Sequence, residues 1–291
     1  MMDYHQQYEE YLGRARQALD RACERYLPEE SEVCRAARYS LLGGGKRIRA
    51  VLVLSVCEML GGDGAAAEAF AAAVEMLHCY SLIHDDLPCM DDDDLRRGRP
   101  TCHKVYGETM AVLAGDALQG EAFGLIAAAP AMTAQQRIDA VAVLSAACGG
   151  GGMVAGQVLD VDHLAQGEAD LRLLHRLKTG AMLQAAAELG CVAAGADDGL
   201  RQRARDYGCH IGLAFQVRDD VLDVVADQGE LGKPIGSDRA EGKRTFVDLL
   251  GLEACQALVA EETAKAKAAL ADLPDSGFLL NLADHLAERR K

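Results

Sequence analysis

No CxxC pair occurs in this chain, although ten cysteines are scattered singly along its 291 residues. That spacing argues against a disulfide scaffold, and it reads as reduced, mostly buried small hydrophobes. Tryptophan is absent and aromatics reach only 4%, so the 50% apolar content is mostly aliphatic. There is no basic excess: the net charge is −15. A nucleic-acid partner, whose phosphates need a basic footprint, is therefore excluded as an expectation. Local Arg and Lys could still serve an anionic substrate. The start of the chain, Met1-Met2-Asp3-Tyr4-His5-Gln6, lacks a basic-then-apolar signal segment. The most apolar stretch, Ala140 to Gly156, is broken by Ser145 and by Gly149 to Gly152, which makes a poor membrane span. These features agree with a soluble, cytoplasmic enzyme.

Proline is scarce as well. Its six copies fall at 28, 88, 100, 130, 234 and 274, so none interrupts residues 131 to 233. Ala, Leu, Glu, Arg and Gln dominate, all strong helix formers, and no segment sustains the two-residue alternation of a half-buried strand. The pattern predicts helices over Tyr4–Leu27, Glu29–Leu42, Lys46–Leu60, Ala65–Asp86, Thr109–Ala129, Thr133–Cys148, Glu168–Gly190 and Leu200–Asp227. A helix from Thr245 with its continuation and a terminal pair complete the set. With no linker or low-complexity segment, residues 1–291 read as one all-α domain.

What the chain does have is acid in two places. Asp85 to Asp94 carry six carboxylates in ten residues, and Leu95-Arg96-Arg97-Gly98-Arg99 follow with three guanidiniums. Far along lies Asp219-Asp220-Val221-Leu222-Asp223. Unit charges about 6 Å apart repel by roughly 0.7 kcal/mol in water and about 3 kcal/mol at an effective dielectric of 20. Crowding of this kind calls for cations. Mg²⁺ is the natural one, because it takes one or two carboxylates plus substrate phosphates. A solvated acidic loop would explain one run alone, but two runs with basic residues after them point to a diphosphate–metal site.

Local geometry sharpens the reading. On a helix, Asp219 and Asp223 share a face, with Asp220 about 100° away. Pro88 stops the first helix, so Asp91 must come back to Asp85 by a local bend. Adjacent Arg96 and Arg97 point in different directions on any regular backbone, which suits two anionic partners. Gly43-Gly44-Gly45-Lys46-Arg47 is not a Walker loop, since Ser40 stands where the first Gly should be and Arg47 replaces the Ser or Thr. It does offer a flexible turn into a helix whose start would carry Lys46 and Arg49 on one face, a setting that can hold an anion.

With these residues in view, the chain resembles the trans-isoprenyl diphosphate synthases, most closely the bacterial farnesyl diphosphate synthases. His78-Cys79-Tyr80-Ser81-Leu82-Ile83-His84-Asp85-Asp86-Leu87-Pro88-Cys89-Met90-Asp91 is similar to that family's first aspartate-rich motif in its bacterial form, with two extra residues. Gly43 to Arg49, Lys178-Thr179, Phe215-Gln216, Asp219 to Asp223 and Gly242-Lys243-Arg244-Thr245 resemble its other motifs in the same order. The likeness spans nearly the whole chain. One departure is Ala50, where the family usually has Pro.

The resemblance implies an all-α bundle of long helices around a central apolar cavity, of isoprenoid synthase type. Asp85, Asp86 and Asp91 would hold Mg²⁺ on an allylic diphosphate from one side, and Asp219, Asp220 and Asp223 from the opposite wall, three ions in all, with Mn²⁺ able to substitute. Arg96, Lys178, Thr179, Gln216, Lys233 and Lys243 would surround the allylic substrate, with Lys178 joining the carboxylates in catalysis. Gly45, Lys46, Arg49, His78 and Arg97 would bind isopentenyl diphosphate. Ionisation would leave an allylic cation, which the double bond of isopentenyl diphosphate attacks before a proton is lost, the released diphosphate being a candidate base. Tyr80 and Ser81, five and four residues before Asp85 on one helix, would set chain length at farnesyl diphosphate, Tyr80 lying about 7.5 Å below the carboxylate. A homodimer is implied too. Other readings carry less. Glu75-Met76-Leu77-His78 is a single di-iron motif without its second copy. A terpene cyclase would carry Asn, Ser and Glu in the second motif, and a non-catalytic partner subunit would have lost motif residues. A geranylgeranyl diphosphate synthase remains the alternative.

Overall fold

The computed structural model describes residues 3–225 and 243–289, and among them every regular element is helical except a hairpin of two-residue strands. The end of the expected Leu200–Asp227 helix and the site candidate Lys233 lie outside the described residues. Two compact units are present, the first made of Met1–Leu144 with Leu189–Ala196, the second of Ser145–Glu188 with Asp197–Lys291.

In the first unit, α1 (Tyr4–Tyr26) buries Leu12, Ala15, Leu19, Ala22 and Cys23, the stripe that its 3.6-residue period dictates. It stops at Leu27, whose backbone leaves the helical region as a residue before proline must. Next comes α2 (Glu32–Leu41), which ends at the glycine run. Helices α3 (Ile48–Met59) and α4 (Gly64–Asp85) are apolar all round and form the centre of this unit. The side chain of Asp63 caps α4 by accepting from the Ala65 N–H at 2.9 Å. After α4, strands β1 (Leu95–Arg96) and β2 (Arg99–Pro100) pair antiparallel. Short α5 (Cys102–Tyr106), α6 (Glu108–Ala127) and α7 (Ala134–Cys148) follow, and α6 lies along α4.

The second unit begins its own helices with α8 (Met153–Val161) and α9 (Glu168–His175). A π-helical turn, Arg176–Gly180, joins α9 to α10 (Ala181–Ala194). The 28-residue α11 (Asp198–Val225) packs along α13 (Leu252–Leu270) and against α14 (Gly277–Glu288), with short α12 (Phe246–Leu250) between. Leu171, Leu174, Val217, Val221, Phe246 and Leu258 make its core.

Three expectations change. The helix expected from Lys46 starts at Ile48, because Arg47 takes a left-handed conformation (φ 50°) to place its guanidinium on buried Glu75 at 3.3 Å. Lys46 therefore precedes the helix and does not share its face with Arg49. The expected continuous helix Glu168–Gly190 is split by the π-turn, an extra residue in the ladder that leaves no compositional trace. Helices α5 and α8 are additions, α8 starting just after the glycine run Gly149 to Gly152 that breaks the apolar stretch. Three stretches, Gly64–Asp85, Glu108–Ala127 and Ala134–Val161, are long and apolar enough by length and composition to cross a membrane, although 67% of the first window is buried inside the protein. All ten cysteines are unbridged, and seven are buried.

Candidate active site

In the first unit the chain bends as Pro88 requires. Helix α4 ends at Asp85, and the Asp91 N–H returns to the Asp85 carbonyl at 2.9 Å. Asp85 and Asp91, both half-buried, are thus brought together at the end of α4. Asp86 goes elsewhere. It is buried, and it accepts from Arg96 Nε at 2.6 Å while Arg96 also reaches Asp93 at 2.8 Å. Burial raises the Asp86 carboxyl above its ordinary range despite this cation.

The hairpin sorts the two adjacent arginines. Arg96 pairs with Arg99 across the strands, and the turn between them puts Arg97 and Gly98 at φ 55° and 74°, the left-handed pair of a type I′ connection. Arg96 faces the carboxylates. Arg97 swings to the glycine loop, where it donates to the Gly44 carbonyl. A Cβ on Gly45 would stand 2.6 Å from its Cζ, so only glycine lets the guanidinium lie on that backbone.

Arg97 lies in a cationic cluster. Arg49, near the start of α3, has its guanidinium lowered to about 10 by burial, with Glu75 opposing and Arg97 adding to the effect. Its Nε is buried without a partner. His78 of α4, half-buried, is held well below its usual pKa by burial and then by Arg49, Arg97, Arg47 and Arg96. It stays neutral and can donate one N–H. Buried polar atoms in native proteins are normally satisfied, and a cluster of this sign with an orphaned donor fits an anion. Lys46 is exposed in the loop, its carbonyl accepting from Tyr8 at 2.6 Å. Tyr80, buried, and Ser81, half-buried, lie on α4 before Asp85, with Tyr80 edge-on to His84 at 5.7 Å.

In the second unit, α11 carries Gln216, Asp219, Asp220 and Asp223 within two turns. Asp219 is half-buried, its side chain 42% exposed, and the Arg289 guanidinium rests on it. Asp223 is half-buried. Asp220 points into the core, where it accepts the Phe246 N–H at 2.7 Å and so caps α12. Lys178 and Thr179 lie on the π-turn, which packs on α8 and α11. The approach of α8 is close: a Cβ on Gly156 would meet the Lys178 backbone nitrogen at 2.2 Å.

That approach delivers a residue the sequence reading missed. Asp160, near the end of α8, pairs with Lys178 Nζ and lies 3.5 Å from Lys243 Nζ. Burial alone would raise its carboxyl, but Lys178 and then Lys243 hold it below the ordinary range. A signal was available: a lone acid in the apolar run Met153–Val161 demands a counter-charge. Asp160→Asn is expected to destabilise the protein by about 1–3 kcal/mol, the scale of a lost hydrogen bond to a charged group. Because the folded pKa is depressed, that contribution is present above the unfolded value and lost as pH falls through the lowered one. Denaturant unfolding at pH 7 and near pH 3 checks it: the gap between wild type and variant should shrink in acid.

Oxygen donors of this kind suit a hard divalent ion. Asp85 with Asp91 and Asp219 with Asp223 are carboxylates placed in pairs, and a side-chain cation already sits against one of them. Among the described residues no group of three or more His, Cys, Asp or Glu could hold a metal alone. Each pair therefore suits an ion that completes its shell with phosphate oxygens and water.

The sequence model of the polyprenyl synthetase family matches residues 30–274. The chain is 44% identical to the farnesyl diphosphate synthase of Escherichia coli (strain K12), with all of both chains covered. It is also 47% identical to geranylgeranyl pyrophosphate synthase 3, chloroplastic, of Arabidopsis thaliana, covering 84% of this chain and 70% of that one. Among solved structures, the geranyltransferase from Legionella pneumophila superposes with a TM-score of 0.87 at 34% identity, covering 98% of this chain and 97% of the other.

Proposed function

This chain belongs to the polyprenyl synthetase family, and from that premise we propose that it condenses isopentenyl diphosphate with dimethylallyl or geranyl diphosphate to give farnesyl diphosphate. It is a short-chain trans-prenyltransferase with the all-α isoprenoid synthase fold. The family uses a divalent metal. Mg²⁺ is the reading the oxygen-only donors support, and three ions with Mn²⁺ as a substitute is what the family resemblance adds to the proposal. Residues 1–291 act as one prenyltransferase domain, a reading supported by a family match that runs through segments of both units.

Roles follow from chemistry. Asp85, Asp91, Asp219 and Asp223 would take the ions that bind the allylic diphosphate. Asp86 and Asp220 would join only by exchanging the partners they now hold. Bound Mg²⁺ would neutralise charge gathering on the departing diphosphate. Arg96, Lys178, Thr179, Gln216 and Lys243 would hold that diphosphate by charge and hydrogen bond as its bond to carbon lengthens. Lys233 belongs to the same proposal and lies outside the described residues. Gly45, Lys46, Arg49, His78 and Arg97 would fix the second diphosphate, with neutral His78 donating without adding charge. The largely apolar sides of α3 and α4 would keep water away from an allylic cation.

The sorting of Arg96 and Arg97 carries this reading: one guanidinium lies on the acidic loop and its neighbour in the cationic cluster beside Arg49. Arg97→Ala should mainly raise the apparent KM for isopentenyl diphosphate, and Arg96→Ala that for the allylic partner. Steady-state kinetics with each substrate varied decides it, and equal effects on both would sink the assignment.

A homodimer and a cytoplasmic location complete the reading. Val112 and Leu113 on α6 and Ile138 on α7 are 40%, 46% and 61% exposed, an apolar surface that a second copy could cover. The unbridged cysteines support a reducing compartment.

A further inference from the structure

The residue after α14 is bound more tightly to α11 than a surface side chain needs to be. Arg289 donates through one terminal nitrogen to the Phe215 carbonyl at 3.0 Å and to an Asp219 carboxylate oxygen. Its Cζ lies 3.6 Å from the centroid of the Phe215 ring. Its own carbonyl is gripped by Arg218, from Nε at 3.0 Å and from a terminal nitrogen at 2.8 Å. Only 11% of the side chain is exposed. These contacts seat a cation on a partly exposed carboxylate of the second acidic motif.

We infer that Arg289 is a built-in placeholder cation for Asp219, occupying the carboxylate until a divalent ion displaces it. This rests on the reading of Asp219 as a metal ligand and adds the regulation of that ligand. A guanidinium and a divalent cation cannot share one carboxylate oxygen without strong repulsion at contact distance. The anchoring is suited to exchange. Arg218 holds the backbone of Arg289, while the Phe215 ring and carbonyl give the guanidinium a resting place that does not involve Asp219. Ion loading and the position of Arg289 are then linked, and each must oppose the other by the same factor.

The test is Mn²⁺ alone, titrated without substrates and followed by the electron paramagnetic resonance signal of the free ion. Wild type, R289Q, R289K, D219N and the double variant D219N/R289Q are compared, with circular dichroism checking that each is folded. R289Q is expected to bind Mn²⁺ about tenfold more tightly, a change of about 1.4 kcal/mol, and R289K to stay near wild type. In the D219N background R289Q should make no difference. A second readout needs no activity: the Arg289 Nε–H resonance, assigned by its loss in R289Q, should move on adding Mg²⁺. If D219N weakens Mn²⁺ binding but R289Q does not strengthen it, the placeholder role is overturned and the ligand role stands. Tighter binding by R289Q in the D219N background also overturns it, because the effect would not pass through Asp219. If D219N binds Mn²⁺ as wild type does, the ligand reading itself falls, and this inference with it.

Discussion

Asp219→Ala or Asp85→Ala is expected to lower turnover by roughly 10²–10³-fold or more, the scale of removing a group that meets charge developing in the transition state. Both carboxylates lie outside the core, one at the open face of α11 and the other at the last residue of α4. Circular dichroism and the unfolding midpoint should therefore change little. Asp220→Ala makes the contrast. Its carboxylate satisfies the Phe246 N–H in a buried place, so that variant should lose stability, by about 1–3 kcal/mol for an orphaned buried donor. Near-normal turnover in a folded Asp85→Ala or Asp219→Ala protein would count strongly against the proposed roles.

Tyr80→Ala is expected to move the main product from fifteen carbons toward twenty. Tyr80 is 6% exposed and stands edge-on to His84, within the helix that ends at Asp85. A chain whose diphosphate is held at Asp85 would extend along α4 and meet the ring after about 7.5 Å, five residues at 1.5 Å each. Removing the ring opens that space, and the neighbouring Ser81, half-buried with its hydroxyl on the His78 carbonyl at 2.9 Å, is too small to close it. Chromatography of dephosphorylated products reads the outcome. An unchanged distribution from an active, folded variant would place the floor at Cys79 or on a facing helix.

Much of this was legible in the residues. Pro88 forced the break that returns Asp91 to Asp85, and the adjacency of Arg96 and Arg97 required them to diverge. What escaped depends on partners distant in sequence. Arg47 gives up helical backbone to reach Glu75, 28 residues away, so α3 starts two residues late. Asp86 and Asp220 read as equals of their neighbours because nothing local says that Arg96 and the Phe246 N–H will claim them. The π-turn under Lys178 is a matter of one extra residue per turn, and helix propensity is blind to it. Asp160 was within reach, since a charge inside an apolar helix is a question that needs an answer.

Incubating the purified protein with isopentenyl diphosphate, geranyl diphosphate and Mg²⁺, then sizing the products, tests the central claim most directly. A fifteen-carbon diphosphate as the main product, abolished by chelating the metal, is the predicted result. Failure to form any longer prenyl diphosphate with either geranyl or dimethylallyl diphosphate, in a folded preparation supplied with Mg²⁺, would contradict it.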